Sequence, residues 1–384
     1  MYTVLNNINI KHIMLKYIKI LLGIIIVAFV LSVILQKDKK VDQKTFIIGA
    51  SQALTGSAAY YGEQTQKGIN LGIDWLKEKY PEYTFKVISE DNQFNAKVAI
   101  DNYNKLVNQD KIDAIITHNS PSSVAIAPLA KRDGILQIAI SAAASTYSSP
   151  DDLSFRTTGV SSDEVIPMSK YISSKYKKIA ILFMNNEIGT SEANDLTELL
   201  NKESNIKIVS NESFAVENKD FRTQIAKLKS LSPDAVYIAG LASHIIDFVK
   251  QTKELHLTYP ILSFRTAEDP SIFSSLVNDA NGIIFTNFFD SYASSTEISK
   301  MVNIYKKTFN RNPDSYVAEG YEATRLVGTA LVRCKKDETC IKKFFAELPD
   351  FDSIFGEIKY DINGDIHHRY ILQKIDGENF ITIN

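Results

Sequence analysis

Read from Thr45 onward, short apolar runs alternate with longer segments in which apolar residues recur at helical spacing. Residues 46–50 read as a strand, and the chain then turns through Gly56. Residues 61–79 read as a helix that gathers Tyr61, Ile69, Ile73 and Leu76 on one face, with Gly68 and Gly72 among them. A strand at 85–89, a helix at 96–108, a strand at 114–117, a helix at 122–132 and a strand at 135–140 follow. Successive β-α-β units of this kind build a parallel sheet covered by helices on both faces.

The same rhythm restarts after Asp163. Helices are expected at 164–174, 190–202, 219–231 and 243–255, interleaved with strands at 178–184, 206–210, 235–240 and 261–263. A strand at 282–285 and long helices at 296–309 and 316–334 come next. Two further strands, 356–361 and 370–375, are expected around the Asn363-Gly364 turn. The fold class is therefore α/β, with two Rossmann-like parallel sheets in tandem. A chain of 384 residues is long enough for two cores. In open α/β sheets ligands bind beyond the carboxyl ends of the strands, so two facing sheets place a cleft between them.

Ahead of these elements lies a different pattern. Ile20 to Leu35 is a nearly unbroken apolar run, preceded by Lys11, Lys16 and Lys19 and followed by Lys37, Lys39 and Lys40. A basic stretch before an apolar one is the pattern of an export signal. Neither an Ala-x-Ala-like site nor a Cys follows it. The reading is an uncleaved signal-anchor through residues 18–35, with 1–44 as anchor and linker; a cleaved signal is the alternative.

Composition then removes whole classes of function. A net charge of -2 argues against a nucleic-acid partner, which calls for a basic face. The two cysteines, Cys334 and Cys340, have no further Cys or His at metal-binding spacing nearby. In an exported chain they form a small disulfide loop; in a cytosolic one they are two free thiols. The sequence carries no G-x-G-x-x-G after the first strand, no G-x-x-x-x-G-K-[ST] and no G-x-S-x-G. His367-His368 are adjacent, and on a strand adjacent side chains point to opposite faces, a poor arrangement for one metal. No metal, cofactor or catalytic residue is expected, and an enzyme is the least favoured class because no nucleophile–base pair stands out.

The strand-end loops carry hydroxyls and small residues instead. His118-Asn119-Ser120-Pro121-Ser122-Ser123 opens a helix, and Ser141-Ala142-Ala143-Ala144-Ser145-Thr146 follows the next strand. Exposed N–H groups at a helix start, with Ser hydroxyls, favour an anion such as a carboxylate. Ser120 or Ser122 also suits a helix N-cap.

Longer stretches resemble a known family. FIIGASQALTGSAAYYGEQTQKGINLGIDWL, SEDNQFNAKVAIDNYNKLV, IITHNSPSSVAIAPLAKRDGILQIAISAAAST, FRTTGVSSDE and DFRTQIAKLKSLSPDAVYIAGL resemble, in order, the leucine/isoleucine/valine-binding family of type I periplasmic substrate-binding proteins of ABC importers. The resemblance runs from Phe46 to the end of the chain. It implies two lobes joined by three crossings, near 157–163, 286–291 and 360–365. Lobe one then holds 45–156 plus 292–359, and lobe two holds 160–285 plus 366–384.

The resemblance also implies a binding site. Ser120 falls on the family's carboxylate-holding serine and Ser145 on its threonine, with Ala143 supplying backbone. Tyr61 falls on an aromatic that touches ligand from lobe one. On the second lobe the match weakens: Ile188 stands where a Tyr is frequent, and Leu241 near an aromatic position. Arg265 stands where the family places the acidic residue for a ligand ammonium. That departure predicts that Arg265 faces the cleft and attracts a second anion, or that Glu268 takes over the acidic role. The expected function is capture of an amino acid or related small carboxylate, outside the cytoplasm, for delivery to the membrane subunits of an ABC importer by hinge closure. An anchored ligand sensor is the second reading.

Overall fold

A computed structural model describes residues 45–291 and 296–383 of the chain. The segment 1–44, with the expected membrane contact at 18–35, lies outside the described residues. Among the described residues no helix is long and apolar enough to cross a membrane.

The first sheet contains β1 (Thr45–Gln52), β2 (Thr84–Asp91), β3 (Ala114–His118), β4 (Leu136–Ile140) and β5 (Ser154–Arg156), in the order β2-β1-β3-β4-β5. β1 pairs with β3, β3 with β4 and β4 with β5, all parallel. Every residue of β3 (AIITH) and β4 (LQIAI) is buried, as befits central strands covered on both faces. The connecting helices are α1 (Ala59–Lys79), α2 (Ala96–Asn108) and α3 (Ser120–Asp133).

The second sheet contains β6 (Lys178–Met184), β7 (Lys207–Phe214), β8 (Ala235–Ala239), β9 (Ile261–Ser263), β10 (Ile284–Asn287), β11 (Ile371–Asp376) and β12 (Asn379–Ile383), in the order β12-β11-β10-β9-β8-β6-β7. From β7 to β10 the pairings are parallel; β11 and β12 are antiparallel additions. Its helices are α4 (Ser161–Lys175), α5 (Glu187–Asn201), α6 (Arg222–Leu231), α7 (Ala242–Glu254) and the short α8 (Ser271–Leu276).

Three late helices, α9 (Thr296–Phe309), α10 (Ser315–Cys334) and α11 (Glu338–Glu347), return to the first sheet. Leu326, Val327 and Phe345 share one core with Ile48, Ile69 and Ile138. Glycines bring α10 and α1 into close approach: a Cβ on Gly320 would lie 2.4 Å from the Thr65 carbonyl, and one on Gly68 2.1 Å from that of Val317. Cys334 ends α10 and Cys340 lies in α11, and a disulfide joins them across the intervening turn.

The chain passes between sheets at 157–160, after β10, and at 361–370. Bridges from Ile366 to Gly159 and to Tyr360 lay the first and last of these passages side by side. Arg156, wholly buried at the end of β5, fastens them. Its Nη1 donates to the carbonyls of Ala142 (2.6 Å) and Ala144 (3.1 Å), its Nη2 to Ser148 Oγ (2.9 Å), and its Nε lies 2.7 Å from Asp365 Oδ1.

The structure departs from the expected elements at the carboxyl end. Residues 356–361 form no strand beyond the single bridge at Tyr360. Asp361 folds the Asn363-Gly364 turn onto itself, accepting from the N–H groups of Asn363 (2.8 Å) and Asp365 (2.9 Å), and the segment serves as a crossing instead. The hairpin partner of β11 is β12, reached through Gly377 at φ 60.

Candidate functional site

A small cavity lies between the carboxyl ends of the two sheets. The first sheet's side contributes Tyr61, His118, Asn119, Ser120, Ser141 and Ala143. The second sheet's side contributes Glu164, Met184, Ile188, Leu241, Phe264 and Arg265. Phe94 and Tyr316 complete an apolar wall with Met184, Ile188, Leu241 and Phe264.

Six of the expected positions therefore meet at one cavity: Tyr61, Ser120, Ala143, Ile188, Leu241 and Arg265. Ser122 and Ser145 do not line it. Asn119, not a serine, caps α3: at φ 72 its Oδ1 accepts from Ser122 N–H at 3.0 Å. That leaves Ser120 at the helix start and Ser122 buried one step inside the helix. Ser120 Oγ accepts from Ala144 N–H (3.2 Å), and Arg156 holds the carbonyls on either side of Ala143. This turns Ala143 to the cavity and leaves Ser145 exposed.

Hydrogen bonds cross the cleft. Tyr61 Oη, on α1, donates to the Thr266 carbonyl (3.1 Å) and accepts from Ala242 N–H (3.0 Å), both of the second sheet. Its hydroxyl is thus taken, and its ring is what lines the cavity. Ser315, at the start of α10, donates N–H (3.1 Å) and Oγ–H (2.5 Å) to Glu268 Oε2. Glu268 is held there, away from the cavity lining, and burial next to Asp314 pushes its pKa up to about 7.

Arg265 faces the cavity as expected, but its charge is engaged. It is 4% exposed, and its Nη1 lies 2.8 Å from Oε1 of Glu319, which is itself fully buried on α10. Glu319 also accepts from Ser141 N–H (3.0 Å), Ser141 Oγ (2.8 Å) and Thr158 Oγ1. The guanidinium stacks over the rings of Tyr316 and Phe288. The sequence suggested a free Arg265 that attracts a second anion; the structure instead gives it an ion pair spanning the cleft.

Two buried groups that sequence reasoning passed over also face the cavity. Among the described residues His118 Nδ1 has no partner; burial and the nearby Arg265 push the ring's pKa down to about 3, so it is a neutral imidazole. Glu164, in the first turn of α4, accepts from Thr286 Oγ1 (2.7 Å) and from Arg265 N–H (3.3 Å) through Oε1. An acidic residue in a first turn looks in sequence like an ordinary favourable partner for the helix dipole, and nothing there signals burial.

A further carboxyl, Glu192 on α5, is fully buried. Tyr237 Oη donates to its Oε2 at 2.7 Å, while its Oε1 has no partner among the described residues. Burial first, then the charge of Glu164, holds its pKa well above the usual carboxylate range. The folded chain therefore keeps this proton more tightly than the unfolded one, and stability falls as pH rises above the ordinary carboxylate pKa of 4.5. Glu192→Gln is expected to raise stability by about 1–2 kcal/mol near pH 8 and by little near pH 5. Urea denaturation at both pH values checks this; an equal effect at the two would show that Glu192 does not titrate so.

The sequence pattern of the periplasmic binding protein family matches residues 45–379. The chain belongs to that family. It is similar to the Leu/Ile/Val-binding protein of Escherichia coli (strain K12), with 25% identity over 331 residues, 85% of this chain and 88% of the relative. Among solved structures it resembles the substrate-binding protein of the branched-chain amino acid transporter of Streptococcus pneumoniae, in complex with isoleucine. That comparison has a TM-score of 0.79 and 22% identity, and covers 88% of this chain and 99% of the other. A Rhodopseudomonas palustris solute-binding protein in complex with benzoate also has a TM-score of 0.79, at 18% identity, and covers 88% and 96%. Type I periplasmic binding proteins of two α/β lobes are thus this chain's structural class.

Proposed function

We propose that this periplasmic binding protein captures a small carboxylate-bearing ligand, an amino acid or a relative of one, outside the cytoplasm and presents it to the membrane subunits of an ABC importer. The observation that carries the reading is the position of the cavity: it is closed between the carboxyl ends of two parallel sheets and lined by both. Ser120 and Asn119 open α3 at its edge, so the ligand carboxylate would sit at a helix N-terminus. The apolar wall would take an aliphatic or aromatic body. Closure is stabilised by contacts that reach both lobes, and reopening would release the ligand to the importer. Residues 18–35 would anchor the chain to the membrane. The named relatives are binding proteins and transporter components, which supports delivery over the sensor alternative.

Thermal melts of the purified chain against amino acids, dicarboxylates and aromatic acids test the reading. A ligand that binds the folded chain raises the midpoint in proportion to RT ln(1 + [L]/Kd). At least one small carboxylate is expected to do so, and Ser120→Ala is expected to weaken its binding about tenfold. No shift with any member of the panel would count against the reading.

A further inference from the structure

In and immediately behind the cavity wall, two carboxyl groups meet one cation. Arg265 brings one positive charge, and two carboxylates share it: Glu319 through its guanidinium at 2.8 Å, and Glu164 through its backbone N–H at 3.3 Å. All three groups are buried. His118 is neutral and adds no cation. Among the described residues no Lys or further Arg lines the cavity.

The two carboxylates are not equivalent. Glu319 is saturated by Ser141, Thr158 and Arg265. Glu164 receives its two hydrogen bonds on one oxygen, Oε1, and no described residue donates to Oε2. Glu164 lines the cavity and Glu319 does not. A buried carboxylate with one oxygen unmatched is costly unless a proton or an outside cation completes it.

We propose that Glu164 is the acceptor for a cationic group of the ligand, an ammonium, so that the cavity selects zwitterionic amino acids over plain carboxylic acids. The inference rests on the binding function proposed above and narrows its ligand class. It assigns the role neither to the position of Arg265, where the family's acidic residue is replaced, nor to Glu268, which is committed to Ser315. The geometry fits a ligand with its carboxylate at the start of α3 on the first lobe and its ammonium at the start of α4 on the second. The ligand ammonium would then offset the burial that pushes the Glu164 carboxyl's pKa up, and a plain acid would bring a negative charge to the cavity without that counter-charge.

The experiment pairs each of the twenty amino acids with the carboxylic acid that lacks its amino group, leucine with 4-methylpentanoate for example, and measures binding to the wild-type chain by calorimetry. The amino form is expected to bind at least about tenfold tighter than its partner. Glu164→Gln is expected to bring the two within about threefold of each other, its fold checked by an unliganded melt. Deaminated acids binding as tightly as amino acids to the wild-type chain would overturn the assignment while leaving capture of a carboxylate intact. Full discrimination in a folded Glu164→Gln protein would overturn it too. Absence of binding by every compound would instead strike at the binding function itself. The wild-type comparison stands even if the variant does not fold.

Discussion

Glu319→Ala is expected to lower the stability of the closed chain by about 3–5 kcal/mol. The carboxylate is fully buried on α10 and accepts from Ser141 N–H and Oγ, from Thr158 Oγ1 and from Arg265 Nη1. Its removal strips the guanidinium of its partner at 2.8 Å and orphans the Ser141 amide. A buried charge left without its partner costs more than the intact pair ever contributed, because desolvation of the survivor is no longer offset. Replacing both partners removes that penalty. Arg265→Met alone should be nearly as damaging, whereas the double variant should recover roughly 2 kcal/mol relative to the sum of the two. Urea unfolding of the four proteins measures the coupling. Strictly additive losses would mean that the two charges are screened from one another and do not form a latch.

The position of this pair bears on how the lobes move. Arg265 follows β9 of the second sheet, and Glu319 belongs to a helix packed on the first. Tyr61 with Thr266 and Ala242, and Ser315 with Glu268, cross the same gap. The closed form is thus already hydrogen-bonded across its cleft by the protein's own groups. On the proposed reading, what the ligand would add is differential: apolar contact with Phe94, Met184 and Phe264, a carboxylate at the start of α3, and a counter-charge for Glu164. A ligand shifts the open–closed balance only by the contacts it makes better in one state than the other. The buried polar lining rewards a ligand that matches it group for group, and leaves unmatched charges in the presence of one that does not.

The same distinction explains what could be read from sequence. Both sheets were legible because β3 and β4, and β6 and β8, are short, predominantly apolar runs between amphipathic helices, a pattern that admits little else. The cavity's location followed from the topology, Ser120 from its strand-end loop, and Ala143 and Arg265 from the family resemblance. Partners in space were not legible. Nothing near Arg265 in sequence announces Glu319, 54 residues later, which converts a free cation into half of a buried pair. Glu164 was hidden for the opposite reason, since its local context already gives a first-turn acid something to do. Asn119 took the cap because its Oδ1 reaches the Ser122 N–H, which left Ser120 at the cavity and Ser122 inside the helix. The strand expected at 356–361 failed because Asp361 closes a local turn and the segment is needed to cross between lobes.

Arg156→Met should be about as costly as the loss of Glu319, about 3–5 kcal/mol, but through a different part of the molecule. Arg156 is fully buried and makes five polar or ring contacts at the root of the hinge: two carbonyls, Ser148 Oγ, Asp365 and the face of Tyr147 at 5.0 Å from its centroid. Methionine can replace the stem but none of the donors, so the Ala142 carbonyl loses its guanidinium donor, the Ala144 carbonyl keeps only the Tyr147 N–H, and Asp365 loses its counter-charge. Asp365 is 13% exposed in its side chain and can be rehydrated. Asp365→Asn should therefore cost less, about 1–2 kcal/mol. The ordering matters because the two carbonyls flank Ala143. Losing Arg156 releases the loop that shapes the carboxylate end of the cavity, whereas losing the Asp365 charge loosens mainly the third crossing. Arg156→Met should thus weaken ligand binding as well as stability, and Asp365→Asn should lower stability with affinity nearly preserved. Urea midpoints and calorimetric affinities on the two variants separate these effects. Equal loss of affinity in both would place the ligand's dependence in the crossing and not in the loop that Arg156 holds.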